Sequence, residues 1–151
     1  MLPRSLHWTG EHLELLDQRR LPREVVLLRL QTWEEVVEAI SSMAVRGAPA
    51  IGVAAAWGVV LAARAGADLS VAMAELRASR PTAVTLGWAL DRMKACTAAS
   101  SPIDVESLAV AAAELEEEDR QLTQRLVDHG LSVLPDAARV LHHCHTGAIA
   151  T

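Results

Sequence analysis

The chain has 151 residues, 51% of them hydrophobic, which is enough for a domain with a core and too apolar for a disordered segment. Its net charge is −5 and its acid is concentrated in the run Glu114–Asp119. No basic stripe is present, which argues against a nucleic-acid partner. Phe and Tyr are absent and Ala is abundant, a composition that suits closely packed helices.

Residues 6–30 read as short strands and turns. Leu13–Asp17 alternates imperfectly, Val25–Leu30 is β-branched and apolar, and Leu21-Pro22-Arg23 breaks between them, so a small antiparallel sheet is expected. Helices follow. Thr32 and Glu35 have capping-box spacing, with Val36, Val37, Ile40 and Met43 at helical intervals behind them. A second helix is expected over 49–65, with Pro49 in its first turn and Gly66 at its end. A third runs over 69–78 behind Asp68. A fourth covers 82–98, Leu86, Leu90 and Met93 sharing a face. Ser101-Pro102 opens a long fifth helix that Gly130 closes.

After the turn at Pro135-Asp136 the pattern changes. Ala138–Cys144 reads as a buried strand, and Thr146–Thr151 as a loop entering another helix. A strand feeding a helix is the first part of a βα unit, which needs further strands to form a sheet. The expected fold is therefore α+β and mainly helical, in two parts. Residues 1–134 form a sheet followed by a helical bundle, and residues 135–151 begin a Rossmann-like α/β domain that is truncated.

Met1-Leu2-Pro3-Arg4 lacks the apolar stretch of a signal peptide, and Arg64 interrupts the most apolar segment before it reaches membrane-spanning length. The two cysteines, Cys96 and Cys144, have no paired spacing. A soluble cytoplasmic protein with free thiols and no membrane partner is expected.

Three segments have the residue types that chemistry needs. In Val45–Gly52, Arg46 leaves one helix and Gly47-Ala48 enter the next. Free N–H groups at a helix start favour an anion, Arg46 adds a bidentate donor, and Gly47 permits close approach. A plain helix–turn–helix with a solvated arginine is the alternative. In Ser79–Val84, Arg80 again precedes a helix start, with Pro81 in the first turn and Thr82 as a possible cap. Two such arginines could converge on one phosphate. The third is His142–Gly147, at a strand end, where open α/β sheets place their ligands. A cysteine there, beside imidazoles and a helix start, could have a lowered pKa. Neighbouring strand residues point to opposite faces, so His142, His143, Cys144 and His145 cannot close one zinc tetrahedron, and no metal is expected. A small buried thiol is the plain alternative. Cys96 is expected to be structural or idle, Glu114–Asp119 a solvated helix face, and Trp33, Trp57 and Trp88 core. Trp8 is left open between a lid and an interface.

Taken in order, Leu15–Pro22, Met43–Gly52, Arg80–Val84 with Trp88-Ala89-Leu90, and His143–Gly147 with Ala150-Thr151 resemble the methylthioribose-1-phosphate isomerases. These belong to a superfamily that also holds the regulatory subunits of the eukaryotic initiation-factor-2B exchange complex. The Arg46–Gly52 run is the most specific. The resemblance implies an aldose–ketose isomerisation of a phosphorylated sugar in methionine salvage, without metal or organic cofactor, commonly in a homodimer. It implies that Arg46, Gly47 and Ala48 bind substrate, that Arg80 binds its phosphate, and that Cys144 is catalytic. The family's aspartate proton donor lies in a second half with no counterpart here. His145, Thr85 and Thr123 stand where the family usually has Asn. That pattern points to a neighbouring substrate such as ribose 1,5-bisphosphate or 5-deoxyribose 1-phosphate; a non-catalytic regulatory module, as in the initiation-factor relatives, is the alternative from a different class.

Overall fold

The structure is a computed structural model that describes residues 4–99, 104–143, 147 and 149. As expected, it is mainly helical with one small antiparallel sheet. Strands β1 (Leu6–Trp8), β2 (Leu13–Leu16) and β3 (Leu27–Leu30) lie in the order β1-β2-β3. Trp8, Leu13 and Leu30 stand in one row across the strands, and Leu6, Leu15 and Leu28 in another. Strand alternation sends both rows to the same face, where Leu6, Leu13, Leu15 and Leu30 are buried. Both expected strands are shorter than their apolar runs. Asp17 leaves β2 for a turn, and Val25 is exposed, although the Asp17 N–H still donates to the Val26 carbonyl.

Helix α1 (Trp33–Ser41) opens with the expected capping box. The Glu35 N–H donates to Thr32 Oγ1 at 3.3 Å, and the Thr32 N–H to Glu35 Oε2 at 3.1 Å. Val36 and Ile40 are buried, but Met43 lies beyond the helix, exposed and with φ +60°. The helical spacing that included it ends at Ser42, the C-cap.

Helix α2 (Ala48–Arg64) is the axis of the fold. Every residue from Ala50 to Ala62 is buried, because α2 touches the other four helices and β1. A helix that is apolar all round must be surrounded. Small residues allow the approach: a Cβ on Gly58 would lie 3.2–3.3 Å from Leu76 and Val36. Gly66, at φ +67°, follows its C-cap Ala65. Helix α3 (Leu69–Ser79) is capped by Asp68, which accepts from the Ser70 N–H at 2.8 Å.

Helix α4 (Val84–Ala99) starts two residues later than the sequence suggested. Pro81 and Thr82 are not its first turn and cap. They occupy the centre of a turn closed by the Ala83 N–H on the Arg80 carbonyl at 3.0 Å, where the fixed φ of proline suits the second position. Leu86, Leu90 and Met93 form its buried face, as expected.

Helix α5 (Val105–Val133) is capped by Asp104, which accepts from the Glu106 N–H at 3.1 Å. Ser101 and Pro102, the expected start, lie outside the described residues. Gly130 does not close the helix. One glycine costs only about 1 kcal/mol, and the stop comes at Leu134, held extended (ψ 136°) by the following Pro135. The acidic run of α5 is more than a solvated face. Leu115 is buried within it, Glu116 accepts from Trp57 Nε1 at 3.1 Å, and Glu118 pairs with Arg92.

Trp57 is core, and Trp33 packs partly buried against it. Trp88 is not core: it is 51% exposed, with the Arg92 guanidinium above its ring, 5.3 Å from the centroid. Trp8 stacks on Trp57 with ring centroids 4.4 Å apart, Arg64 covering it at 4.9 Å. It fastens the sheet to α2.

The buried strand expected over 138–144 is not formed in its described part. Ala138–His143 has no regular structure, and Val140 and Leu141 are 69% and 96% exposed. Extended backbone needs a partner strand for its N–H and C=O groups, and among the described residues none lies alongside.

Candidate functional site

The two helix starts singled out in the sequence meet. A Cβ placed on Gly52, in the second turn of α2, would lie 3.0 Å from the Thr85 carbonyl oxygen and 3.5 Å from Ala89 Cβ, at the start of α4. The helices therefore begin at the same end of the bundle, side by side. The Thr85 hydroxyl donates to the Ala48 carbonyl and ties the two first turns together.

Gly47 is the N-cap of α2 at φ +93°, a conformation that L side chains rarely adopt. The first intrahelical bond runs from the Ile51 N–H to the Gly47 carbonyl at 3.0 Å. The N–H groups of Ala48 and Ala50 precede it, and Pro49 contributes none. Arg46, just before this cap, is half-buried with its Nε out of solvent contact. Arg80 is the half-buried C-cap of α3, at the head of the turn that delivers α4. Backbone donors and a guanidinium at a helix start can bind an anion.

A residue that pattern reading passed over joins this end. Gln18 is 7% exposed and follows β2. Its backbone N–H donates to the Ala44 carbonyl at 2.9 Å. Its side-chain Nε2 donates to the Arg46 carbonyl at 3.4 Å and to the Ile149 carbonyl at 2.6 Å. Gln18 thus links the turn before α2 to the C-terminal segment. Its neighbours are clamped as well. Arg19 donates through Nε and Nη2 to the two oxygens of buried Asp17, both at 2.8 Å. Those hydrogen bonds hold the Asp17 carboxyl below its ordinary pKa. No local sequence signal marks Gln18, which follows the polar Asp17 just after β2.

Cys144 and His145 lie outside the described residues. Thr123 lies half-buried on α5 and bonds to nothing at the helix starts. Cys96 is half-buried against the core with a free thiol, as expected. Among the described residues, no three His, Cys, Asp or Glu side chains gather into a group able to hold a metal ion, and no helix is long and apolar enough to cross a membrane.

Residues 44–151 match the model of the initiation factor 2 subunit family. The methylthioribose-1-phosphate isomerase of Parasynechococcus marenigrum (strain WH8102) is 67% identical over 150 residues, which are 99% of this chain and 44% of the relative. Among solved structures, the 5-methylthioribose 1-phosphate isomerase of Pyrococcus horikoshii OT3 superposes with a TM-score of 0.89 at 35% identity, covering 99% of this chain and 46% of that one. The translation initiation factor eIF-2B delta subunit of A. fulgidus gives 0.79 at 33% identity, over 98% and 46%. The chain spans less than half the length of these relatives. A family model matched over more than two thirds of the sequence, on a fold shared with two solved members, shows that the chain belongs to the initiation factor 2 subunit family.

Proposed function

We propose that this chain carries the N-terminal part of an aldose–ketose isomerase that converts methylthioribose 1-phosphate to methylthioribulose 1-phosphate in methionine salvage. The observation that carries the reading is the 67% identity to an isomerase over nearly the whole chain. The paired helix starts support it, because they offer the donors that a sugar phosphate needs. The likeness to the eIF-2B delta subunit is lower, at 33%, and favours a regulatory module less.

In this reading Arg46 and Arg80 bind the phosphate, and Gly47 and Ala48 line the sugar. Phosphate on C1 locks the sugar as a ring, so the ring must open while a hydrogen moves from C2 to C1. C2 becomes the ketone and C1 a methylene bearing the phosphate. Cys144 stands at the reacting carbons, as a base or as a group stabilising the transition state in a dry pocket. The arginines fix the phosphate and orient the ring. The reading places 135–151 at the opening of a Rossmann-like second domain, and the protein in the cytoplasm as a homodimer.

The test is a chimera in which residues 1–151 replace the matching part of the Parasynechococcus marenigrum relative. Phosphorus NMR should show the substrate signal replaced by that of the ketose phosphate, and Cys144→Ser should nearly abolish the conversion. No conversion by the chimera, alongside turnover by the parent relative, overturns the reading. Normal turnover by Cys144→Ser removes the cysteine from it.

A further inference from the structure

We infer that Gln18 is a ligand-binding residue of this site, its side-chain oxygen accepting a hydrogen bond from a ring hydroxyl of the phosphorylated sugar. The inference rests on the proposed isomerase reading for the identity of the sugar.

The orientation of the Gln18 amide is fixed by its partners. Nε2 faces two backbone carbonyls, of Arg46 and Ile149. A carbonyl can only accept, so the group facing both must be the amide's donor end. The other end, Oε1, is then committed to its position. It is buried, on a side chain more than nine-tenths buried, and has no hydrogen-bond partner. A buried amide oxygen left without a donor costs about 1–3 kcal/mol. Native folds seldom carry such a group without a use for it.

Its place makes the use specific. The same amide grips the carbonyl of the Arg46–Gly47 peptide, the one that turns the chain into α2. That peptide is planar and trans, so a carbonyl directed at Gln18 sends the Gly47 N–H the opposite way. Gln18 therefore sets the direction of a helix-start donor and carries, on the same amide, an acceptor without a donor. A phosphate needs donors and offers none when ionised. The complementary group for a lone buried acceptor is a hydroxyl, and a sugar phosphate brings both kinds of group at once. The backbone bond from Gln18 to Ala44 and the Asp17–Arg19 clamp hold the residue rigid, which lowers the entropy cost of binding.

The test is run on the chimera, with methylthioribose 1-phosphate and its 2-deoxy and 3-deoxy analogues, for the native sequence and for Gln18→Met. Binding is read by calorimetry and turnover by phosphorus NMR. The native protein is expected to bind one deoxy analogue about 10- to 100-fold more weakly than the parent sugar phosphate. In Gln18→Met that ratio should fall close to one, with the loss shared by the parent and the analogue that keeps the contacted hydroxyl, and the other analogue spared. An equal loss on all three ligands would mean a purely structural glutamine and would overturn the inference. So would an unchanged ratio, or a native protein that binds none of the three. Should Gln18→Met not fold, Gln18→Asn, which keeps the amide but withdraws it by one methylene, is read by the same ratio. Discrimination that depends on Gln18 without turnover removes the isomerase reading alone. Turnover with Gln18-independent discrimination removes the Gln18 inference alone.

Discussion

Helix α2 and the second half of α5 both carry rows of aliphatic side chains, yet they meet opposite fates. In α2 every residue from Ala50 to Ala62 is buried. In α5, Leu108, Ala112 and Leu115 are buried, but Leu122, Leu126, Val127, Leu131 and Val133 are exposed. Propensity does not separate the two, since both are well-formed helices. Neighbours do: α2 is enclosed by four helices and a strand, and α5 runs beyond the bundle after its first turns. The closed region holds the paired helix starts, Gln18 and the ion-paired Asp17. Stability should therefore respond to changes in the first region and hardly to changes in the second.

The largest effect is expected at Trp57. Truncation to Ala removes a buried ring, its stack on Trp8 and its hydrogen bond to Glu116, and should cost about 3–5 kcal/mol in denaturant unfolding. Gly52→Ala is next. The added methyl meets the Thr85 carbonyl at 3.0 Å, and prying α2 from α4 should cost about 1–3 kcal/mol. A neutral result there would mean that the two helix starts are not tightly joined.

Asp17→Asn should cost about 1–2 kcal/mol near neutral pH, through the loss of charged hydrogen bonds to Arg19. It also has a pH signature. The Asp17 pKa is lowered in the folded state, so its contribution is present above the unfolded carboxylate value, about 3.9. The contribution is lost as pH falls through the lower folded value. Thermal unfolding followed from pH 6 to pH 2 should show the native protein losing its advantage over Asp17→Asn below about pH 4. The smallest effect is expected on the arm: Leu126→Glu, at a position 74% exposed, should stay within about 0.5 kcal/mol. A loss of several kcal/mol would show that this face is covered in solution and would erase the contrast.

Much of the closed region was legible in the sequence because local chemistry wrote it there. The Thr32–Glu35 box, the Asp68 cap, Gly66 past the end of α2 and the Leu86–Leu90–Met93 face are all short-range signals. The misreadings have equally physical causes. Pro81 suits a turn centre as well as a first helical turn, and only the Ala83–Arg80 hydrogen bond decides between them. Gly130 suggests a helix end, but one glycine is too weak to make one. Residue type alone puts Trp88 in the core, whereas its place beside Arg92 is a property of packing. The apolar run ending at Cys144 implies a strand, and a strand exists only with a neighbour. In the candidate site, Arg46, Gly47, Ala48 and Arg80 were visible as helix-start chemistry. Gln18 was not, because its partners at Arg46 and Ile149 lie 28 and 131 residues away.

The central claim is that the shared start of α2 and α4 takes the phosphorylated sugar. Hydrogen exchange read by mass spectrometry on the chimera, with and without methylthioribose 1-phosphate, tests it most directly. Ligand should slow exchange in peptides covering residues 44–53 and 80–87 and leave residues 120–134 unchanged. Ligand binding with no added protection in the first two segments would contradict the claim.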